Sequence, residues 1–205
     1  MRLQQYLTEL GNKKVNIQVT KNMPRMFRTV TDISTDDTDV IEVLFYANIT
    51  DPDDILEHLN YFELSTILNL PYYEMPENYD NDNKESRVAM RNHEQSMHIL
   101  EREFRTSEIW HIEFMRSVNG DATHKEQKNL PTEQVTSTYA AVKQSVELLI
   151  KAKKPDFLYF TGKRAESARI KLYDRIKING YKLVKTFNNE MGRNDIDKAY
   201  LFKRI

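Results

Sequence analysis

His111 and Glu113 form a pair of side chains whose types and spacing suit proton transfer. They lie two residues apart in the stretch IWHIEFMRSV, whose aromatic and β-branched residues are typical of a strand. Because alternate residues of a strand point to the same face, the imidazole and the carboxylate are expected side by side. A histidine or a glutamate in such a place is able to act as a general base. A pair that arose by chance on a strand surface is the alternative explanation.

Two further groups of residues have the chemistry to hold an anion. Three consecutive hydroxyl side chains, Thr136, Ser137 and Thr138, lie near the start of a predicted helix, where hydroxyls and free N–H groups can bind phosphate. Lys163 and Arg164 follow the apolar stretch FLYFTG, at the carboxyl end of a predicted strand, where α/β proteins place ligands. Ordinary capping and a solvated basic helix face are the alternatives for these two groups.

The elements that must position these residues are predicted in the second half of the chain. A helix is expected from about Thr132 to Lys154, because apolar residues recur at helical spacing and Pro155 follows. Its core-facing side chains are predicted to be Val135, Tyr139, Val142, Val146, Leu149 and Ile150. Residues 157–160 predict a central strand, since nearly all of them are apolar. Residues 182–188 and 199–204 predict a terminal antiparallel hairpin.

The first half of the chain predicts three strands followed by helices. Val15, Ile17 and Val19 alternate with polar residues, which indicates a half-buried strand, and residues 26–33 and 40–49 indicate two more. The acidic stretch DPDD at residues 51–54 is typical of a helix start rather than a metal site, and that helix is expected to run to a break near Pro71. A tyrosine-rich loop follows, and then a polar helix over residues 85–105.

The composition argues against several functional classes. Lys and Arg number 30 against 31 Asp and Glu, so the formal net charge of −1 gives no global attraction to nucleic acid or anionic membrane. The absence of cysteine excludes disulfides, thiolate nucleophiles and cysteine-ligated zinc. The chain has no 18-residue apolar run and no signal-peptide pattern, so we expect a soluble cytoplasmic protein without a metal site.

The stretch from Thr138 to Tyr181 resembles the C-terminal half of the GNAT acetyltransferase superfamily. It reads as helix, strand, helix and strand, and it contains Leu172-Tyr173 followed by Gly180-Tyr181. The resemblance extends over residues 108–205 and, more loosely, over the first 50. It implies an α/β fold with a mixed sheet, in which residues 1–205 form a single GNAT-like domain with a helical insertion at 51–107. The amino-acid sequence of the segment also resembles that of GNAT-like proteins of tailed bacteriophages.

The resemblance also implies roles for the residues named above. Tyr173 would be the general acid that protonates the leaving coenzyme A thiolate, and Glu113 would be the general base. The cofactor would be acetyl-CoA, held by Thr136, Ser137, Thr138, Lys163 and Arg164. This sequence departs from the family in its glycines, because no two of the 5 are close enough to form a phosphate-binding loop. Packing between helix and sheet is the alternative role for Tyr173.

Two functions follow from the sequence. The first is an acetyl-CoA-dependent N-acyltransferase with a degenerate pyrophosphate loop. The second is a non-catalytic GNAT-like protein that serves as a bacteriophage structural component or binds a host factor in the host cytoplasm. A protein partner would contact the apolar face of the helix predicted for residues 2–10, or the loop from Tyr72 to Tyr79. Binding to a membrane is not expected, and nucleic acid is the third choice because the charge is balanced.

Overall fold

The computed structural model of the protein describes residues 14–35, 39–123, 132–162, 173–174, 176–188 and 198–205. Within these residues the chain divides into two compact units. The first, here called the sheet unit, takes its residues from Met1–Ile49 and Trp110–Ile205. The second, here called the helical unit, is Thr50–Ile109 and contains the helices predicted for residues 51–107.

The sheet unit is built on a mixed sheet, and the fold is of a mixed α+β type. Its strands are β1 (Ile17–Met23), β2 (Met26–Asp32), β3 (Ile41–Ile49), β4 (Ile109–Val118), β5 (Asp121–Thr123), β6 (Phe157–Gly162), β7 (Tyr181–Asn188) and β8 (Lys198–Arg204). Seven strands follow the order β1-β2-β3-β4-β6-β8-β7, and β5 pairs with β4 alone. Strands β1 to β4 are antiparallel neighbours, and β8 is antiparallel to both β6 and β7. The predicted C-terminal hairpin is therefore confirmed.

Strand β6 is central, as its apolar sequence predicts, and all six of its residues are buried. The first strand is present as predicted, but the prediction that it is half-buried is wrong. Only Ile17 of β1 is even partly buried, and Val19 is 45% exposed. The reason is the position of β1 at an end of the strand order, where it has one neighbouring strand among the described residues. Alternation of apolar residues identified the strand but not its edge position.

One long helix, α4 in the numbering used here, covers Thr132–Lys153 and packs on strands β1, β2 and β3. The predicted core face is correct for Val142, Val146 and Leu149, which are buried. It is wrong for Val135, which is 48% exposed. The buried side chains of α4 also include small ones, namely Ser137, Ala140, Ala141 and Ser145. Small residues allow the helix to approach the sheet closely, and a search for large apolar residues misses them.

A buried hydrogen bond fixes this contact between helix and sheet. The Oγ1 atom of Thr29 on β2 lies 2.7 Å from the Oγ atom of Ser145 on α4, and both residues are at most 1% exposed. Neither hydroxyl can exchange its partner for water without opening the interface. The bond therefore specifies the position of the helix on the sheet as well as contributing to stability.

Thr29→Val is expected to lower the free energy of unfolding by roughly 1–3 kcal/mol, because it leaves the Ser145 hydroxyl desolvated without this partner. The double variant Thr29→Val, Ser145→Ala is expected to recover most of that loss, since no polar group of the pair then remains buried. Chemical denaturation of the single and double variants measures both values. A double variant that is markedly less stable than Thr29→Val would contradict this role of the hydrogen bond.

The helical unit contains α1 (Asp53–Leu56), α2 (Tyr61–Leu68) and α3 (Lys84–Arg105). The prediction of one continuous helix up to Pro71 is wrong, because a new helix begins at Asn60. The Asn60 side chain accepts a hydrogen bond from the Glu63 backbone N–H at 2.9 Å, and the Glu63 carboxylate accepts one from the Asn60 N–H at 3.4 Å. This reciprocal capping box starts α2, after α1 has ended at Leu56. The helix predicted for residues 85–105 is confirmed as α3.

Candidate functional site

The candidate site lies on the face of the sheet opposite α4, here called the open face. On β4, Ile112 and Phe114 belong to the same core cluster as Val142 of α4. His111 and Glu113 alternate with them and therefore point to the other face. Their side chains are 28% and 54% exposed, respectively. An imidazole and a carboxylate thus stand together on a central strand within reach of solvent.

His111 is held by a residue of the neighbouring strand. Its Nε2 atom lies 2.9 Å from the Oγ1 atom of Thr161 on β6 and 3.8 Å from the Oε1 atom of Glu113. The first distance is that of a hydrogen bond, and the second is longer than one but short enough for a charged pair to interact. The His111 ring also packs on the ring of Tyr159, with the centroids 5.4 Å apart. The imidazole is therefore fixed in orientation, and Glu113 stabilises its charged form.

Thr161, His111 and Glu113 do not together form a relay of the serine-protease type. In such a relay the carboxylate and the hydroxyl contact different nitrogens of the imidazole. Here Thr161 and Glu113 both approach Nε2, so the imidazole does not connect the two groups. Thr161 is consequently not the activated nucleophile of such a relay. What the arrangement can do is take a proton from a bound molecule and hold it next to a carboxylate.

Two residues that the sequence prediction missed extend the open face across the sheet. Arg28 of β2 lies directly opposite Tyr46 of β3, and Tyr46 lies directly opposite Glu113 of β4. Directly opposed residues of antiparallel strands share a face. The Arg28 Cζ atom stands 4.9 Å from the centroid of the Tyr46 ring, a cation–π contact. A guanidinium, an aromatic ring and a carboxylate therefore follow one another in a row over three strands.

Tyr173 lies on the opposite side of the sheet from this row. It is 1% exposed, and its ring centroid is 5.0 Å from that of Phe160, 5.7 Å from that of Tyr200 and 6.0 Å from that of Phe114. These rings belong to the core cluster on the α4 face. The residues predicted as acid and base, Tyr173 and Glu113, are therefore not brought together. The position of Tyr173 is that of a packing residue.

Tyr200, the neighbour of Tyr173, donates a hydrogen bond from its hydroxyl to Asp174 Oδ1 at 2.7 Å. Burial and this bond to a carboxylate both raise the pKa of Tyr200 above the ordinary tyrosine value. Lys198 also donates to Asp174 Oδ1, at 2.5 Å. These contacts fasten strand β8 to the segment that contains Tyr173. They make Tyr200 a poor proton donor near neutral pH.

The residues predicted to hold acetyl-CoA divide into two sets. Thr136, Ser137 and Thr138 each donate their hydroxyl to the backbone carbonyl four residues earlier, at 2.7, 2.9 and 2.8 Å. They also lie beyond the first turn of α4, whose N–H groups are the unsatisfied ones of a helix start. Lys163 and Arg164 lie outside the described residues. In the part of the predicted set that the structure describes, all three hydroxyl protons are therefore donated within the helix.

The tyrosine-rich loop predicted as a partner surface belongs to the helical unit and packs partly against its helices. The Tyr72 ring stacks on that of Tyr61 with the centroids 6.1 Å apart, and His93 Nδ1 donates to the Tyr73 carbonyl oxygen at 2.7 Å. The rings of Tyr73 and Tyr79 are exposed. The loop is thus anchored by one tyrosine and presents two others to solvent. The other predicted partner surface, the helix at residues 2–10, lies outside the described residues.

A cleft of about 350 Å³ opens in the helical unit. Its lining residues are Asp53, Leu56, Glu57, Leu59, Tyr61, Leu64, Glu101 and Arg105. The Tyr61 hydroxyl donates to Glu101 Oε1, while Arg105 donates to Glu101 Oε2 at 3.0 Å and to Asp53 Oδ1 at 2.7 Å. These bonds connect α1, α2 and α3. The polar groups in the cleft serve mainly to hold three helices together.

Tyr61 is expected to ionise at a higher pH than an ordinary tyrosine. Its hydrogen bond to Glu101 raises the pKa of the phenol, and burial adds to the effect. Because the folded pKa is raised, this bond stabilises the fold below the unfolded value of about 10 and loses its contribution as pH rises through the folded value. Ultraviolet difference titration of the wild type and Tyr61→Phe isolates this ionisation. A Tyr61 signal at or below the ordinary tyrosine pH would contradict the bond.

No helix in the described part of the chain is both long enough and apolar enough to cross a bilayer. Comparison with known proteins found no relative of the chain. No protein-family model matches the chain, and neither a curated protein nor a solved structure is detectably similar to it. The site on the open face is therefore interpreted from its own geometry.

Proposed function

We propose that the protein is a GNAT-like N-acyltransferase in which His111 and Glu113 accept the proton of the acceptor amine. The observation that carries the proposal is the placement of this pair on the open face, held by Thr161. When an amine attacks an acyl carbonyl, a C–N bond forms and the bond to the leaving group breaks. The amine must also lose a proton, and a positioned base contributes typically about 10²- to 10⁴-fold to such a step.

The described fold supports the resemblance on which the acyltransferase proposal depends. Strand β4, helix α4 and strand β6 follow one another, and the antiparallel pair β7–β8 closes the sheet. These are the elements that the C-terminal half of a GNAT-like domain requires. The second helix of that half is expected at residues 163–172, which lie outside the described residues.

In the proposed reaction the acceptor ammonium lies against the Glu113 carboxylate. The Thr161 hydroxyl donates its proton to His111 Nε2 and takes one from the ammonium, because a hydroxyl is able to accept as well as donate. Glu113, 3.8 Å from His111 Nε2, stabilises the charged ring. The neutral amine is thereby free to attack. The second proton of the amine nitrogen, lost once the C–N bond has formed, leaves with the departing group.

The resemblance names acetyl-CoA as the acyl donor. The hydroxyls of Thr136, Ser137 and Thr138 are engaged in backbone hydrogen bonds, and no step above depends on the cofactor. The same observation favours a second function, a non-catalytic GNAT-like protein that binds a host or bacteriophage protein. The exposed Tyr73 and Tyr79 rings are available for such a contact. A cytoplasmic location belongs to either proposal.

Thermal unfolding with and without acetyl-CoA separates the two functions. A ligand at about 100 times its Kd stabilises the folded state by roughly 2.7 kcal/mol, which gives a readily measured shift in Tm. The acyltransferase proposal predicts such a shift, and predicts that neutralising Lys163 and Arg164 reduces it. No shift at millimolar acetyl-CoA would favour the non-catalytic protein.

A further inference from the structure

Arg28 carries a positive charge on the open face without an anionic partner among the described residues. None of the ion pairs formed within those residues includes Arg28. Its Nε atom is buried and has no hydrogen-bond acceptor in the described part of the chain. A partly desolvated guanidinium without a counter-charge is unfavourable, and an anion bound at its terminal NH2 groups would compensate that charge. The residue thus has the character of a binding group.

The position of Arg28 relates it to the proposed proton acceptor. Arg28, Tyr46 and Glu113 are in register on three successive strands. Neighbouring strands lie about 4.8 Å apart, so the backbones at Arg28 and Glu113 are about 10 Å apart. The guanidinium leans over the Tyr46 ring and so reaches toward β4. A cationic and an anionic side chain therefore flank one aromatic ring, at a separation that a short aliphatic molecule spans.

We propose that the open face binds an amine that also carries a carboxylate, with the carboxylate on Arg28 and the ammonium on Glu113. The aliphatic middle of this molecule crosses strand β3 beside Tyr46, whose ring face the guanidinium already covers. A guanidinium pairs with a carboxylate through two parallel hydrogen bonds, which gives Arg28 the geometry for this role. This proposal names the class of amine that the acyltransferase would acylate. Binding of the amine does not depend on the proposed function, whereas its acylation does.

Calorimetric titration of the 205-residue chain tests this arrangement with three probes, γ-aminobutyrate, butylamine and butyrate. The wild type is expected to bind γ-aminobutyrate about tenfold or more tightly than either singly charged probe. Arg28→Gln is expected to lower the affinity for γ-aminobutyrate to that of butylamine, and Glu113→Gln to lower it to that of butyrate. Arg28→Lys, which keeps the charge but not the paired donors, is expected to retain part of the preference.

Arg25→Gln is the matched control, because Arg25 is an exposed arginine in the turn before β2. It is expected to leave all three affinities unchanged. Equal binding of the three probes by the wild type would overturn the inference, as would an unchanged preference in Arg28→Gln. Because no acyl donor is present, this outcome is independent of catalysis. Wild-type protein that binds γ-aminobutyrate selectively but acetylates no amine would instead overturn the proposed function alone.

Discussion

Substitution of both His111 and Glu113 by glutamine is expected to lower kcat/KM for acyl transfer by about 10²- to 10⁴-fold. Glutamine has a similar size and remains able to hydrogen-bond, but it does not accept a proton near neutral pH. The change therefore removes proton transfer while it leaves the exposed strand surface nearly intact. Each single variant is expected to lose nearly as much as the double variant, because the two residues act as one unit.

The matched control for this double variant is Glu147→Gln. Glu147 is exposed on α4, so its substitution removes one carboxylate from the sheet unit and leaves the open face unchanged. Its rate is expected to equal that of the wild type. A double variant with the wild-type rate and an unchanged Tm would show that the pair takes no part in the reaction.

Tyr173→Ala is expected to have the largest effect on stability. Phe and Trp to Ala substitutions in a packed core typically cost about 3–5 kcal/mol, and Tyr173 contacts three aromatic rings at 1% exposure. Total stabilities are roughly 5–15 kcal/mol, so this loss would remove a large part of the free energy of unfolding. Urea denaturation of the variant measures it. A loss below about 1 kcal/mol would contradict the packing described here.

Tyr173→Phe separates packing from chemistry at the same position. The ring is kept and only the hydroxyl is lost, so most of the stability is expected to remain. Because Tyr173 lies on the face of the sheet opposite Glu113, we also expect the rate of acyl transfer to stay close to that of the wild type. A large fall in rate at unchanged stability would instead support the general acid that the family resemblance implies.

Local sequence pattern was enough to identify most elements of the fold. The all-apolar run of β6 and the dense β-branched and aromatic residues of β3 placed these strands correctly, because both features report burial directly. Val135 was misassigned to the core face because the prediction counted only large apolar residues, whereas several small side chains of α4 are buried and Val135 is exposed. The capping box at Asn60 also escaped notice within a continuous apolar pattern, although Asn followed three residues later by Glu is a sequence signal for it.

The candidate site was predictable only where it depends on neighbours in sequence. His111 and Glu113 share a face because they are two residues apart on one strand. Arg28 and Tyr46 join them through the register of β2, β3 and β4, and that register is set by long-range pairing that no local pattern contains. The separation of Tyr173 from Glu113 has the same origin, since it depends on which face of the sheet each element covers.

The most direct test of the account is mass-spectrometric detection of the N-acetylated product. Purified protein is incubated with acetyl-CoA and γ-aminobutyrate, in parallel with the double variant in which His111 and Glu113 are glutamine. If His111 and Glu113 accept the proton of the amine, the wild type forms product at a rate at least about 100-fold above that of the double variant. Product formed equally by both proteins, or by neither, would contradict an acyltransferase that works through this pair.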